Sequence, residues 1–334
     1  MASRGRTAAS PRRTLASPSV CTLLLLALRQ GISSALPRAC TLEWGAPLAA
    51  IEACEHLRVS GGSPAKAAGV ERLARALGAA HALRSLDLAH QGLGDLEVGV
   101  LARALLPLRR VEVLHLAHNR IGANGVTQLA PLLLTEDGAM RQLVLHDNQL
   151  GEAGFSLLAQ LIGRNCSLAQ LDVRGNAGGA SGARLLGNAL RRNGRLQQLV
   201  LSDNGIGNLG MLHLALGLRY NKALHELSVG QNNLTDAGII WLAQNLKRNE
   251  GLRSIDLSDN NFTDFGIRAL ARALSFQTTV GRVDVSPAHI SASALALLNA
   301  SLGKYRGEDE RSMTKQLQVL LALLERILDA AYMS

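Results

Sequence analysis

Aromatic side chains are scarce, at 3% of 334 residues, so few large interface anchors of that kind are on hand. Cysteine is equally thin. Cys21, Cys40, Cys54 and Cys166 form no C-x-x-C pair and no cysteine-rich end cap, which favours a reducing compartment. No apolar run is long enough to span a bilayer; Val20 to Leu28 is nine residues. The glycines follow one period and build no separate phosphate-cradling loop. No Ser, Cys or His sits in a nucleophile motif. The expectation is therefore a non-enzymatic protein without a cofactor. Acidic residues are absent before Glu43, a stretch that holds six arginines. Setting those six aside leaves 29 basic against 26 acidic residues, so most of the net charge of +9 is local. A nearly neutral body argues against nucleic-acid binding.

What the chain has instead is a period. The pattern LxxLxLxxN starts at Leu83 and recurs at Val111, Met140, Leu168, Leu196, Leu224, Leu252 and Val280, in steps of 28 with a single 29. Such a period marks a solenoid whose units bury their apolar faces only by stacking. In the unit from Leu196, Leu199 and Leu201 alternate with polar positions, as in a short strand with one buried face. Leu214, Ala215 and Leu218 then form a helical stripe. The stripe recurs at Leu101, Leu129, Leu158, Leu186, Leu242, Leu270 and Leu298, and reaches back to Leu73 and Leu77. A degenerate earlier unit is expected, with its strand near Leu57 and Val59.

One strand and one helix per unit require parallel strands joined by right-handed crossovers. Strands stack about 4.8 Å apart and helices about 10 Å apart, so the array bends, with strands inside and helices outside. Asn119, Asn148, Asn176, Asn204, Asn232 and Asn260 close the turns, as scaffold rather than site. A second Asn series, Asn165, Asn193, Asn221 and Asn249, reads as left-handed helix stops.

The LxxLxLxxNxL strand with its Gly-x-x-x-Leu-Ala helix, as in the run from Asn148 through Gly154 to Leu158 and Ala159, resembles the ribonuclease-inhibitor class of leucine-rich repeats. That class includes ribonuclease inhibitor, Ran GTPase-activating protein and the repeat ends of NLR receptors. The resemblance implies an α/β curved solenoid of about eight or nine repeats, parallel β-strands concave and α-helices convex. It implies a recognition surface without naming what is recognised.

Three parts are expected. Residues 1–43 form a basic, acid-free presequence or capping segment, 44–303 the solenoid, and 304–334 a charged linker with an amphipathic helix. Thr41 to Trp44 reads as an extra strand and Pro47 to His56 as a helix. The compartment expected is cytoplasmic, or mitochondrial or another organelle if the N-terminal segment directs import.

Function is expected on the concave columns. Asp87, His115, Asp172, Arg174, Glu226, Asp256, Arg282 and Asp284 are the candidate partner-binding residues. The columns are polar, small and mildly acidic, free of Trp, Tyr and Phe, and suited to a basic protein partner. His90, His115, His118, His146 and Asp147 gather on three successive units, a donor set able to hold a transition metal. The leading function is a protein-interaction scaffold using the arc and the C-terminal helix. The alternatives are a structural subunit of an organellar or cytoskeletal assembly, and, through the resemblance alone, a small-GTPase-activating protein.

Overall fold

The computed structural model describes residues 39–44, 51–60, 67–135, 139–164, 167–276 and 279–302, all in one compact unit. The segment before residue 39, Asn165, and the linker and helix expected at 304–334 lie outside the described residues. Ten parallel strands form one sheet in chain order. They are β1 (Ala39–Glu43), β2 (His56–Ser60), β3 (Ser85–Asp87), β4 (Val113–His115), β5 (Gln142–Val144), β6 (Gln170–Asp172), β7 (Gln198–Val200), β8 (Glu226–Ser228), β9 (Ser254–Asp256) and β10 (Arg282–Asp284). The helices are α1 (Ala67–Leu77), α2 (Asp95–Leu105), α3 (Ala123–Leu134), α4 (Gly151–Gly163), α5 (Gly179–Leu190), α6 (Gly207–Leu218), α7 (Asp236–Leu246), α8 (Asp264–Leu274) and α9 (Ala292–Ser301). Strands on one side and helices on the other make a curved α/β solenoid.

The repeat explains the core. The middle residue of each strand from β3 to β9 is buried, and so is the apolar residue two further on, such as Leu199 with Leu201. The helical stripe packs down onto them: Leu101, Leu129, Leu158, Leu186, Leu214, Leu242 and Leu270 are all buried. Removing such a leucine costs about 2–5 kcal/mol, because stacked neighbours cannot collapse into the gap.

Three polar ladders run alongside this core. In the first, Asn204 is typical. Its Nδ2 donates to Leu201 O and to Val173 O of the preceding unit, and its Oδ1 accepts from Asn176 N and Gly178 N. In the second, Asn193, Asn221 and Asn249 are buried but do not adopt positive φ. The expected left-handed stop is therefore corrected. Asn221 Nδ2 reaches Leu190 O and Asn193 O in the previous unit, while its Oδ1 accepts from Ala223 N and Leu224 N. Bridging helix ends needs the side chain, not a left-handed backbone. The third ladder sits at the helix N-termini. Asn208 Oδ1 accepts from Thr235 N and Gly238 N, and Asp236 Oδ1 from Thr263 N and Gly266 N. These are the donors a helix start leaves unpaired.

A left-handed column lies elsewhere, directly before the ladder residue: His90, His118, Asp147, Gly175, Asp203, Gln231 and Asp259 all have positive φ. In each unit up to Gln231 the N–H of that residue donates to a carbonyl of the next, as His118 N does to His146 O at 2.9 Å. The series ends at Asp259, whose N–H finds Ser286 Oγ instead. The next position is Pro287, which has no N–H, and the ladder position beside it is Ala288.

At the other end, the strand expected near Thr41 is β1, so the sheet already includes the last residues of the segment expected to end at 43. The helix expected over Pro47 to His56 is corrected. Residues 47–50 lie outside the described residues, and over the described part a 3-10 turn, Ile51–Ala53, replaces helix because His56 already opens β2. The expectation that no cystine caps the array is also corrected. Cys40 on β1 and Cys54 before β2 form a disulfide, with Cα atoms 5.9 Å apart. Trp44 Nε1 adds a hydrogen bond from this end to Gln91 Oε1, which stands where the ladder lacks its first Asn. Among the described residues no helix is long and apolar enough to cross a membrane.

Candidate functional site

Side chains of the strands alternate between the core and the concave face, so every residue flanking a buried strand leucine faces outward. The eight candidate partner-binding residues all fall on outward positions, and six of them form three pairs. Asp87 and His115 are register partners on β3 and β4, with His115 Nδ1 3.3 Å from Asp87 Oδ1. Arg58 Nε approaches the same carboxylate at 3.3 Å. Asp172 and Arg174 pair at 2.7 Å, and Arg282 and Asp284 at 2.9 Å. The acid at these units is thus balanced in place.

The units between differ. Asp203 and Glu226 have no ion pair among the described residues. Asp256 accepts only from hydroxyls and an amide, namely Ser228 Oγ at 2.6 Å, Ser258 Oγ at 2.6 Å and Ser258 N. Burial opposes its charge, but those hydrogen bonds together hold its carboxyl below the ordinary 3.8. Asp259, bonded by Ser286 and Gln231, is likewise lowered. The middle of the arc keeps a net negative charge. It also carries a hollow of about 310 Å³, lined by Asp147, Arg174, Ser202, Asp203, Gly230 and Asp256. Small side chains at 202 and 230 leave that space open.

The histidine group is resolved into pairs. His118 Nδ1 lies 3.5 Å from Asp147 Oδ2, and His146 Nδ1 lies 2.7 Å from the same oxygen. His90 stacks on His118 with ring centroids 4.0 Å apart, while His146 meets His118 edge-on at 4.7 Å. His115 turns away to Asp87, and its Nε2 is buried without a hydrogen-bond partner. Burial is the largest influence on both His115 and His118 and pushes their pKa values below 6.5; for His118 the neighbouring His90 adds to the effect. The structure therefore brings together three of the five expected donors, His118, His146 and Asp147.

Sequence reasoning missed a second surface on the helical side. Phe265 and Phe276 flank a groove of about 600 Å³ between α7 and α8, and are 67% and 73% exposed although both are large and apolar. Lys247 Nζ sits 5.9 Å above the Phe276 ring. Tyr220 lies beneath Arg191 and Arg219, at 5.2 and 5.6 Å. The available signal was their position: these aromatics fall outside both helical leucine stripes.

Comparison with known proteins agrees with the repeat. The Leucine Rich repeat model matches residues 110–130, 196–215, 220–243 and 248–271. No curated protein sequence matches the chain. Among solved structures, one titled Leiomodin-1 Actin-Binding Site 2 is similar at a TM-score of 0.40 and 18% identity, over 51% of this chain and 95% of that one. With ten stacked parallel strands, Asn ladders in register and four segments that match the repeat model, the described chain folds as a leucine-rich-repeat solenoid.

Proposed function

We propose that the protein is a non-enzymatic scaffold that binds a partner protein along its concave face. Solenoids of this kind present extended concave surfaces for that purpose. The observation that carries the reading is the open hollow of the central units. There Asp203 has no ion pair among the described residues and Asp256 is answered by hydroxyls and an amide alone, so a basic group of a partner finds uncompensated charge. Arg174 at the rim orients an acidic or carbonyl group beside it. With no aromatic anchor on the arc, affinity is spread over many units rather than concentrated at one hot spot. The balanced pairs at Asp87, Asp172 and Asp284 set register more than strength, since exposed ion pairs are worth about 0–1 kcal/mol.

The test compares partners that co-purify with the full chain and with an Arg174→Glu, Glu226→Arg double variant. Both residues are exposed, so the fold is retained. Loss of the same partner from the variant, restored by the complementary charge change in that partner, is the expected result. A partner held equally by both chains refutes concave binding. Removing residues 306–334 in parallel measures that segment's share.

A further inference from the structure

Asp147 Oδ2 has two imidazole nitrogens converging on it, at 2.7 Å from His146 and 3.5 Å from His118. The potential ligand atoms of all three residues lie within 4.8 Å of one another. Around a tetrahedral ion with bonds of about 2.0–2.2 Å, ligand atoms stand roughly 3.3 Å apart. The two spacings to Asp147 Oδ2 bracket that value, a geometry close to that of a bound ion.

The backbone beneath the three donors is already locked. His118 N donates to His146 O at 2.9 Å across adjacent units, and Asp147 N donates to Arg174 O at 2.9 Å. Gly175 in the next unit makes room for the carboxylate, since a Cβ there would collide with Asp147 Oδ1. His90 stacks nearly parallel on His118, with 12° between the rings, so its lone pair runs alongside rather than toward the same point. Three protein donors and one open position result.

We propose that His118, His146 and Asp147 bind one divalent transition metal of the Zn²⁺ type, with the fourth position left to water or to a donor from a bound molecule. Two imidazoles and a carboxylate suit Zn²⁺ and its first-row neighbours, whereas Mg²⁺ and Ca²⁺ select all-oxygen shells. The open site faces the concave side, at the edge of the surface proposed above, but its existence does not depend on that surface being used.

The experiment uses untagged full chain stripped with a chelator and titrated with ZnCl₂ in a calorimeter. The expected result is one equivalent bound, with a rise in melting temperature on saturation. Asp147→Asn weakens binding at least about tenfold, and His118→Ala with His146→Ala abolishes it. His289→Asn, at an exposed position elsewhere, leaves it unchanged. In the unsubstituted chain the imidazole NMR signals of His118 and His146 shift at one equivalent while those of His289 do not, a readout that needs no variant to fold. Absence of binding, an undiminished site in the double variant, or shifts at His289 instead overturn the proposal.

Discussion

Asn204 Nδ2 donates to the carbonyl of Val173, thirty-one residues earlier, at 3.0 Å. That bond joins the turn of one unit to the strand end of the unit before. The same side chain also closes its own turn on Leu201 O and accepts two N–H groups through Oδ1. Asn204→Ala therefore leaves several buried backbone groups unpaired at once, each worth about 1–3 kcal/mol. We expect a loss of at least about 3 kcal/mol in urea unfolding. Asn204→Asp is not expected to recover it: Oδ1 keeps its acceptor role, but the second carboxylate oxygen would face the carbonyls of Val173, Leu201 and Ser202 where Nδ2 donated.

Gly187 and Gly217 mark the closest approach of α5 and α6. A Cβ on Gly187 would collide with His213 O, and one on Gly217 with Gly187 O. Alanine is the better helix former by about 1 kcal/mol. Here the obstacle is backbone, which cannot rotate aside, and overpacking of this kind costs about 1–3 kcal/mol. Packing wins: Gly187→Ala lowers the melting temperature, while Gly194→Ala, which meets nothing within 4 Å, does not.

The Cys40–Cys54 bridge closes a short loop that holds β1 against β2. A loop of this length removes about 3 kcal/mol of chain entropy from the opened state. Cys54→Ser, or reduction, is expected to speed amide exchange in β1 and β2 while β6 to β8 keep their protection, since each unit leans only on its neighbours. Uniform loss of protection along the sheet contradicts this.

Acid should weaken the fold through two histidines. Burial, before any charge effect, holds both His115 and His118 below 6.5. Between those lowered values and 6.5 the unfolded chain binds more protons than the folded one, so stability rises with pH there. It is complete above pH 6.5 and declines as pH falls through the window. Carboxylates such as Asp256 titrate below 3.8 and leave the window clear. In chelator, the melting temperature falls from pH 7.5 to pH 5.5, and His115→Asn flattens that slope. An unchanged slope removes His115 from the account.

Most of the architecture was legible because each column repeats. Leu214 and Leu242 in one helical column, and Asn204 and Asn232 in one turn column, declare their burial by recurrence alone. The histidine neighbours were readable for the same reason: positions 28 or 29 apart become adjacent once strands stack. The disulfide was not, because Cys40 and Cys54 belong to no repeat and meet only through the pairing of β1 with β2. Asn193, Asn221 and Asn249 were placed at the right ends of the helices but with the wrong backbone, since a period does not report φ. The true left-handed column had a usable signature. Its residues are His, Asp, Gly and Gln, types among which Gly, Asp and His tolerate positive φ best. The pairing of Asp172 with Arg174 was also derivable, two residues apart on one side of a strand.

Pro287 gives β10, the last strand among the described residues, a chemical full stop. Any chain laid beside β10 would meet at Pro287 a tertiary amide with no N–H to give, where each unit up to Gln231 gives one to the next. One of the bonds that carry each unit into the next is therefore missing at this edge, which makes it a poorer template for the open-ended fibre growth that bare strands invite.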